Sequence, residues 1–277
     1  MKKEIGAPKA LKFINLPLLF MIAVFFVFPL YWIITGSLKD AVSINAKVPE
    51  WFPTNPTIDN YIRLFQEPAL QWLFNTVFMA VMAMILTCIT ASLAGYAIAK
   101  KRFPGRQLIF VMFVCAMALP KQVIVIPLLQ EMNFLGLHDN IWAVILPTIG
   151  WPFGVFLMKQ FSENIPTEML EAARVDGASE LTTFIHIVFP MIKPGVGALA
   201  IFTFVNCWND YFLQLIMLMD TRNLTISLGI AKLQGEMSSD YGLIMAGACL
   251  AAAPIIAVFI MFQRYFTQGI TMGAVKG

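Results

Sequence analysis

The feature that most constrains this chain is a succession of apolar runs, each about as long as a bilayer is thick. A spanning helix needs about 20 mostly apolar residues, because each adds about 1.5 Å towards a hydrocarbon core of about 30 Å. Such runs fall at approximately 13–35, 73–99, 107–130, 140–159, 195–219 and 241–266 of the 277 residues. They predict an all-α membrane protein, a single domain with six transmembrane helices. A soluble globule is excluded, since 59% of residues are hydrophobic and only 13% charged, against roughly a quarter charged in soluble domains.

The first run competes with a signal peptide, because Lys2, Lys3, Lys9 and Lys12 supply a positive leader. The run is longer than a signal h-region and no A-x-A-like site follows it, so a retained helix is expected. Residues 37–72 carry Pro49, Pro53, Pro56 and Pro68 and read as an external segment with short helical pieces, Trp51 and Phe52 serving as interfacial anchors. The second run ends in the basic turn Lys100-Lys101-Arg102-Phe103-Pro104-Gly105-Arg106. Pro120 and Pro127 should kink or break the third, and Pro147 and Pro152 lie inside the fourth.

Six spans place both termini on one side, and Lys and Arg decide which. The terminal side carries 13 of the 19 basic residues and the other side 5, with Lys121 left at membrane depth. Both termini are therefore expected in the cytoplasm. The net charge of +3 is too small and too dispersed for a nucleic-acid surface. Cys88, Cys115, Cys207 and Cys249 sit in apolar runs without C-x-x-C spacing, and His138 and His186 have no ligand-type neighbours. Neither a disulfide framework, a metal site nor a cofactor is expected.

The sidedness places residues 160–194 in the cytoplasm. Pro166 followed by Glu168 and Glu171 reads as a helix start, Gly177 as its stop, and Glu180–Phe189 as a second short helix stopped by Pro190 and Pro194. A membrane-surface helix is the bland alternative. Five acids (Glu163, Glu168, Glu171, Asp176, Glu180) against three basic residues suit an anionic lipid surface poorly. Docking onto a cytoplasmic protein is the more economical expectation.

The spacing Glu171-Ala172-Ala173, Gly177, Ile187, Pro190 resembles the E-A-A segment of permease subunits in binding-protein-dependent ABC importers, with Phe189 in place of the usual leucine. Shorter marks are similar to the carbohydrate, maltose-type branch: Pro56-Thr57 with Asn60-Tyr61, Asn75-Thr76, Trp208-Asn209-Asp210, and Gly269-Ile270-Thr271 with Gly273-Ala274-Val275-Lys276-Gly277. The resemblance implies a type I ABC importer permease fold in a bacterial cytoplasmic membrane. It implies four partners besides the lipid bilayer: a second permease subunit, two ATPase subunits and an extracytoplasmic sugar-binding protein. Glu171, Ala172, Ala173, Asp176, Gly177, Ile187 and Pro190 would form coupling helices (166–190). Thr271, Gly273, Lys276 and Gly277 of the tail (267–277) would reach the ATPase interface. The chain has no G-x-x-x-x-G-K-[ST] loop to cradle ATP phosphates, so it is not expected to be the enzyme of the complex.

Ionisable residues at membrane depth usually face a cavity or a partner. Lys121 and Asp210 each lie about 14 residues into their runs from the cytoplasmic side, or roughly 21 Å of helical rise. With Gln122, Asn206 and Asn209 they are candidates to line a substrate pathway or to pair across it, and Trp208 and Tyr211 offer aromatic faces for a sugar. Snorkelling of Lys121 to the surface is the competing reading. An ion-coupled secondary transporter would also carry kinked helices and buried charges, but no internal repeat is visible and the E-A-A segment weighs against it. An intramembrane enzyme would need a paired-Asp, Ser-His or metal constellation that the spans lack.

Overall fold

A computed structural model describes the backbone of residues 9–236 and 240–274, and the side chains of 16–236 and 240–261. Its helices, in chain order, are α1 (Lys9–Ser37), α2 (Ala41–Ile44), α3 (Asp59–Leu64), α4 (Ala69–Lys100), α5 (Arg106–Met117), α6 (Lys121–Phe134), α7 (Trp142–Ile149) and α8 (Pro152–Glu163). They continue with α9 (Thr167–Val175), α10 (Glu180–Thr183), a π-helical turn (Phe184–Val188), α11 (Phe189–Asn209), α12 (Tyr211–Met217), α13 (Ile226–Glu236) and α14 (Tyr241–Ala274). Among the described residues five helical stretches are long and apolar enough to cross a membrane, and six if the bent pair α5–α6 is one span. The chain divides into two compact units, residues 1–69 with 230–250, and 70–229 with 251–277.

In the first unit, the apolar stretch Leu16–Ser37 of α1 leaves its side chains largely uncovered, as expected of a helix that meets lipid or a partner. Its end is tied down. The buried Asn60 amide donates to the carbonyls of Ser37 and Lys39 at 3.0 and 2.8 Å, Tyr61 hydroxyl meets Ser37 Oγ at 2.9 Å, and Thr57 N–H donates to Leu38 O at 2.8 Å. Asn60 and Thr57 therefore satisfy carbonyls at and just beyond the helix terminus, and Tyr61 pins the Ser37 hydroxyl beside them. Trp51 and Phe52 pack against Trp32 and Tyr31 of α1, with ring centroids 6.1 and 5.8 Å apart. This is an aromatic cluster of the kind found at membrane interfaces.

The second unit is organised around α4, whose 32 residues span about 48 Å at the helical rise. At one end of this unit Lys100 Nζ donates to the carbonyls of Glu163 and Ile165 at 3.0 and 2.6 Å, and Lys101 pairs with Glu180. At the other end Asn75 Nδ2 donates to Arg222 O and Leu224 O at 2.8 and 2.9 Å, while Thr76 Oγ1 accepts from Ile226 N–H at 2.8 Å. Between them, Gly95 lets α4 and α8 approach so closely that an added Cβ would sit 2.6 Å from the Lys159 backbone nitrogen. Ala91, Tyr96, Val155, Met158, Val188, Ile192 and Leu199 form the core there.

Several expected boundaries move. The third span breaks at Ala118-Leu119-Pro120 with a bend of 108°, because proline takes the extended conformation it favours before a new helix (ψ 134°). Pro127, by contrast, stays inside α6. The fourth span breaks once, at Gly150-Trp151, and Pro152 becomes the first residue of α8, where its missing N–H is not needed. Pro190 and Pro194 do not stop the second short helix: Glu180 to Asn209 is a single helical stretch of 30 residues. Phe189 N–H reaches back five residues to Phe184 O, and this wider π turn relieves the crowding a proline ring imposes on the preceding turn. The fifth span then breaks at Asp210 instead of running through. The tail expected from 267 is helical as far as Ala274.

Candidate functional site

Two places in the second unit concentrate polar chemistry. The first is the segment 166–190. Pro166, extended at ψ 131°, precedes α9. Its C-terminus closes as a Schellman motif: Ala178 N–H donates to Ala173 O at 3.0 Å and Gly177 N–H to Arg174 O at 3.1 Å, with Gly177 at φ +75°. Only glycine takes that left-handed conformation without strain. Ser179 then caps α10 by accepting the Thr182 N–H at 3.2 Å. The result is two helices meeting at a rigid corner.

Ala172, Ala173, Asp176 and Ile187 line one groove of about 350 Å³ on this corner, together with Met169, Ala178, Thr182, Thr183 and His186. Glu171, Gly177 and Pro190 are exposed and do not line it. The outer side carries apolar groups in the open: Val175 is 87% and Leu181 64% exposed. The inner side is anchored, since Leu170 and Phe184 pack against the core formed by α4, α8 and α11. Lys101 also lies 5.2 Å from the Tyr96 ring centre. Burial works against its charge, but the Glu180 carboxylate and the Tyr96 hydroxyl outweigh burial and raise the lysine pKa. Of the tail residues, Thr271 and Gly273 fall in the last turns of the α14 backbone and Lys276 and Gly277 lie outside the described residues.

The second place is the break at Asp210. Asp210 Oδ2 accepts from Lys121 Nζ at 2.7 Å, while its Oδ1 accepts from Leu213 N–H at 3.3 Å and so caps α12. The Lys121 ammonium also lies 4.8 Å from the centre of the Trp151 ring, a cation–π distance. The Asp210 side chain is 13% exposed and that of Lys121 41%. The lysine therefore turns inward to a partner and does not snorkel. Two cavities flank the pair and share Lys121, Thr148, Trp151 and Asp210 as a common wall. One, of about 500 Å³, lies in the elbow of α5 and α6 and is otherwise lined almost wholly by apolar residues. The other, of about 190 Å³, is lined by Thr87, Thr203, Asn206, Phe153 and Phe202 among others.

Of the remaining candidates, Asn206 lines the smaller cavity, while Gln122 and Asn209 are exposed and line neither. Asn206 and Asn209 each donate to the carbonyl four residues back, Phe202 O and Val205 O. Trp208 is buried at 3% exposure against Phe204 and is a packing residue, not an open aromatic face. Tyr211 remains exposed. Trp151, Thr148 and Thr87 were not foreseen. The Gly150-Trp151-Pro152 interruption at span depth was the one available signal for the first. The depth count for Lys121 assumed one straight helix, and the 108° elbow removes that basis: the bend, not matched depth, carries Lys121 to Asp210.

Residues 89–272 match the family described as binding-protein-dependent transport system inner membrane component. The chain belongs to this family. It is 34% identical over 260 residues to the arabinooligosaccharides transport system permease protein AraQ of Halalkalibacterium halodurans, covering 92% of this chain and 93% of that one. It is 32% identical over 261 residues to the maltodextrin transport system permease protein MdxG of Bacillus subtilis, covering 93% of each. Its fold is that of a chain in a bacterial ABC transporter involved in the import of the acidic polysaccharide alginate, with a TM-score of 0.83 at 21% identity over 96% of this chain and all of that one. This family member is thus an all-helical, multi-pass membrane permease with the fold of an ABC importer subunit.

Proposed function

We propose that the chain is the transmembrane permease subunit of an ATP-driven carbohydrate importer in a bacterial cytoplasmic membrane. It forms half of a translocation pathway with a second permease subunit. It receives sugar from an extracytoplasmic binding protein, and separate ATPase subunits drive it. The relatives named for arabinooligosaccharides and maltodextrin support the substrate class, and the excess of Lys and Arg on one side supports cytoplasmic termini and a cytoplasmic 166–190 segment. ATP hydrolysis belongs to the partner, and Thr271, Gly273, Lys276 and Gly277 of the tail are its further contacts on this chain.

The observation that carries the mechanism is one uninterrupted helix. It starts at Glu180 on the exposed corner and runs 30 residues, about 45 Å at the helical rise, to end on Asp210, which holds Lys121. The corner is rigid at its inner face and apolar at its outer face. A partner that grips Val175 and Leu181 therefore moves a stiff rod, whose far end carries the ion pair between the two cavities. Such a rigid lever between a docking corner and a buried ion pair is what a coupled transporter needs. Cysteines placed at 175 and 181 in a background free of the four native cysteines test the docking. Disulfide or short-linker capture by the ATPase subunit of the assembled complex is expected, and an assembled, active complex giving no such capture at either position sinks the assignment.

A further inference from the structure

We propose that the cavity of about 190 Å³ beside the Lys121–Asp210 pair is a subsite for one neutral sugar ring of the transported glycan, so that this subunit itself contacts substrate. The proposal rests on the importer reading above and adds to it a place and a charge class. The larger cavity is excluded by its chemistry. Beyond the shared wall it offers Ile109, Met112, Phe113, Leu119 and Leu128, and sugar hydroxyls buried there would lose their hydrogen bonds to water without replacement.

The smaller cavity has the opposite character. Thr87, 3% exposed, lines it, and its Oγ1 is buried with no hydrogen-bond partner. A buried hydroxyl without a partner is costly and calls for an explanation, and a ligand hydroxyl supplies one. Asn206, Thr203 and the outer atoms of the ion pair add donors and acceptors, while Phe202 and Phe153, with ring centroids 4.4 Å apart, offer an apolar wall for the C–H face of a ring. At about 30 Å³ per water, the volume is about six waters' worth, the scale of one ring and too small for two. Among the described residues Lys121 is the one cation lining the cavity, and Asp210 already compensates it. No unpaired positive charge is left for a uronate, so the ring selected is neutral.

Thr87→Val separates a ligand role from a structural one, because the change is nearly isosteric and removes only the unpartnered hydroxyl. A structural role predicts unchanged or improved thermal stability with unchanged transport. The subsite predicts unchanged stability and ATPase assembly with uptake of the cognate neutral oligosaccharide weakened about fivefold in apparent affinity, the worth of one hydrogen bond. The assay uses the assembled complex in proteoliposomes with its binding protein, arabinooligosaccharide and maltodextrin as neutral probes, and oligoalginate as the acidic one. Asn206→Leu serves as the second variant, with the same expected loss. Wild-type uptake of a neutral probe combined with wild-type kinetics in both variants overturns the subsite alone. Preference for oligoalginate overturns the charge class, and absence of ATP-dependent uptake of any glycan by wild type overturns the importer reading with it.

Discussion

Breaking the Lys121–Asp210 pair has a cost that the geometry allows to be divided. Lys121→Met strands a carboxylate that is 13% exposed and retains only one backbone N–H, from Leu213, as partner among the hydrogen bonds described. Losing one partner of a buried pair costs about 3–5 kcal/mol, and the partial exposure of Lys121 (41%) places this case near about 3 kcal/mol. Asp210→Asn is milder. Asparagine caps a helix as well as aspartate does, and the lysine keeps the Trp151 face, so about 1–2 kcal/mol is expected. The double variant buries neither charge alone and should cost less than the sum of the singles by about 2–3 kcal/mol. Thermal unfolding of the assembled complex in detergent reads this directly: Lys121→Met should lower the midpoint by roughly 6–12 °C, and Asp210→Asn added to it should restore part of the loss. Additivity to within about 0.5 kcal/mol would mean that the two side chains do not act as a pair.

Other consequences are simpler. Gly177→Ala puts a Cβ on a residue at φ +75° with nothing within 4 Å. It should cost about 1 kcal/mol locally and leave the fold intact, so Gly177→Trp, at an exposed corner outside the spans, should insert into the membrane normally yet lose ATPase recruitment, read by co-purification. Gly95→Val drives a side chain into the Lys159 backbone and should destabilise the complex by about 1–3 kcal/mol, measured as a lowered unfolding midpoint. Asp139, at φ +53°, accepts N–H bonds from Met219 at 2.7 Å and Asp220 at 3.1 Å and an amide bond from Asn223. Burial opposes its ionisation, but these donors and His138 outweigh burial and hold its pKa below the ordinary 3.8. The stabilisation is therefore fully present above that ordinary value and lost as pH falls through the lower folded value. Protection factors of the amides at 219–223, which remove the intrinsic pH dependence of exchange, should drop as pH falls through the lowered Asp139 value in the wild type, and Asp139→Asn should show the reduced protection already at pH 6.

Much of this was legible in the residues. Bilayer-length apolar runs gave the spans, Gly177 the corner and its handedness, and the isolated charges Lys121 and Asp210 the pair. The boundaries that moved did so for reasons local propensity does not carry. Pro190 reads as a stop, but a π turn three-dimensionally supported by Val188 and Phe184 in the core carries the helix through it. Asp210 reads as a charge within a helix, whereas it is the joint between two, with its carboxylate capping the second. Thr87 belongs to the candidate site only because α4, α8 and α11 pack around one small cavity, a tertiary fact without periodicity or spacing to announce it.

We propose above that ATP on a partner drives this chain through the 166–190 corner. The most direct test of this proposal is uptake by proteoliposomes holding the complete complex, with binding protein and an arabinooligosaccharide or maltodextrin outside and ATP within. Accumulation that requires ATP, and that disappears in Gly177→Trp while the protein remains inserted, is the predicted result. Accumulation driven by an ion gradient with the ATPase subunits omitted would contradict it.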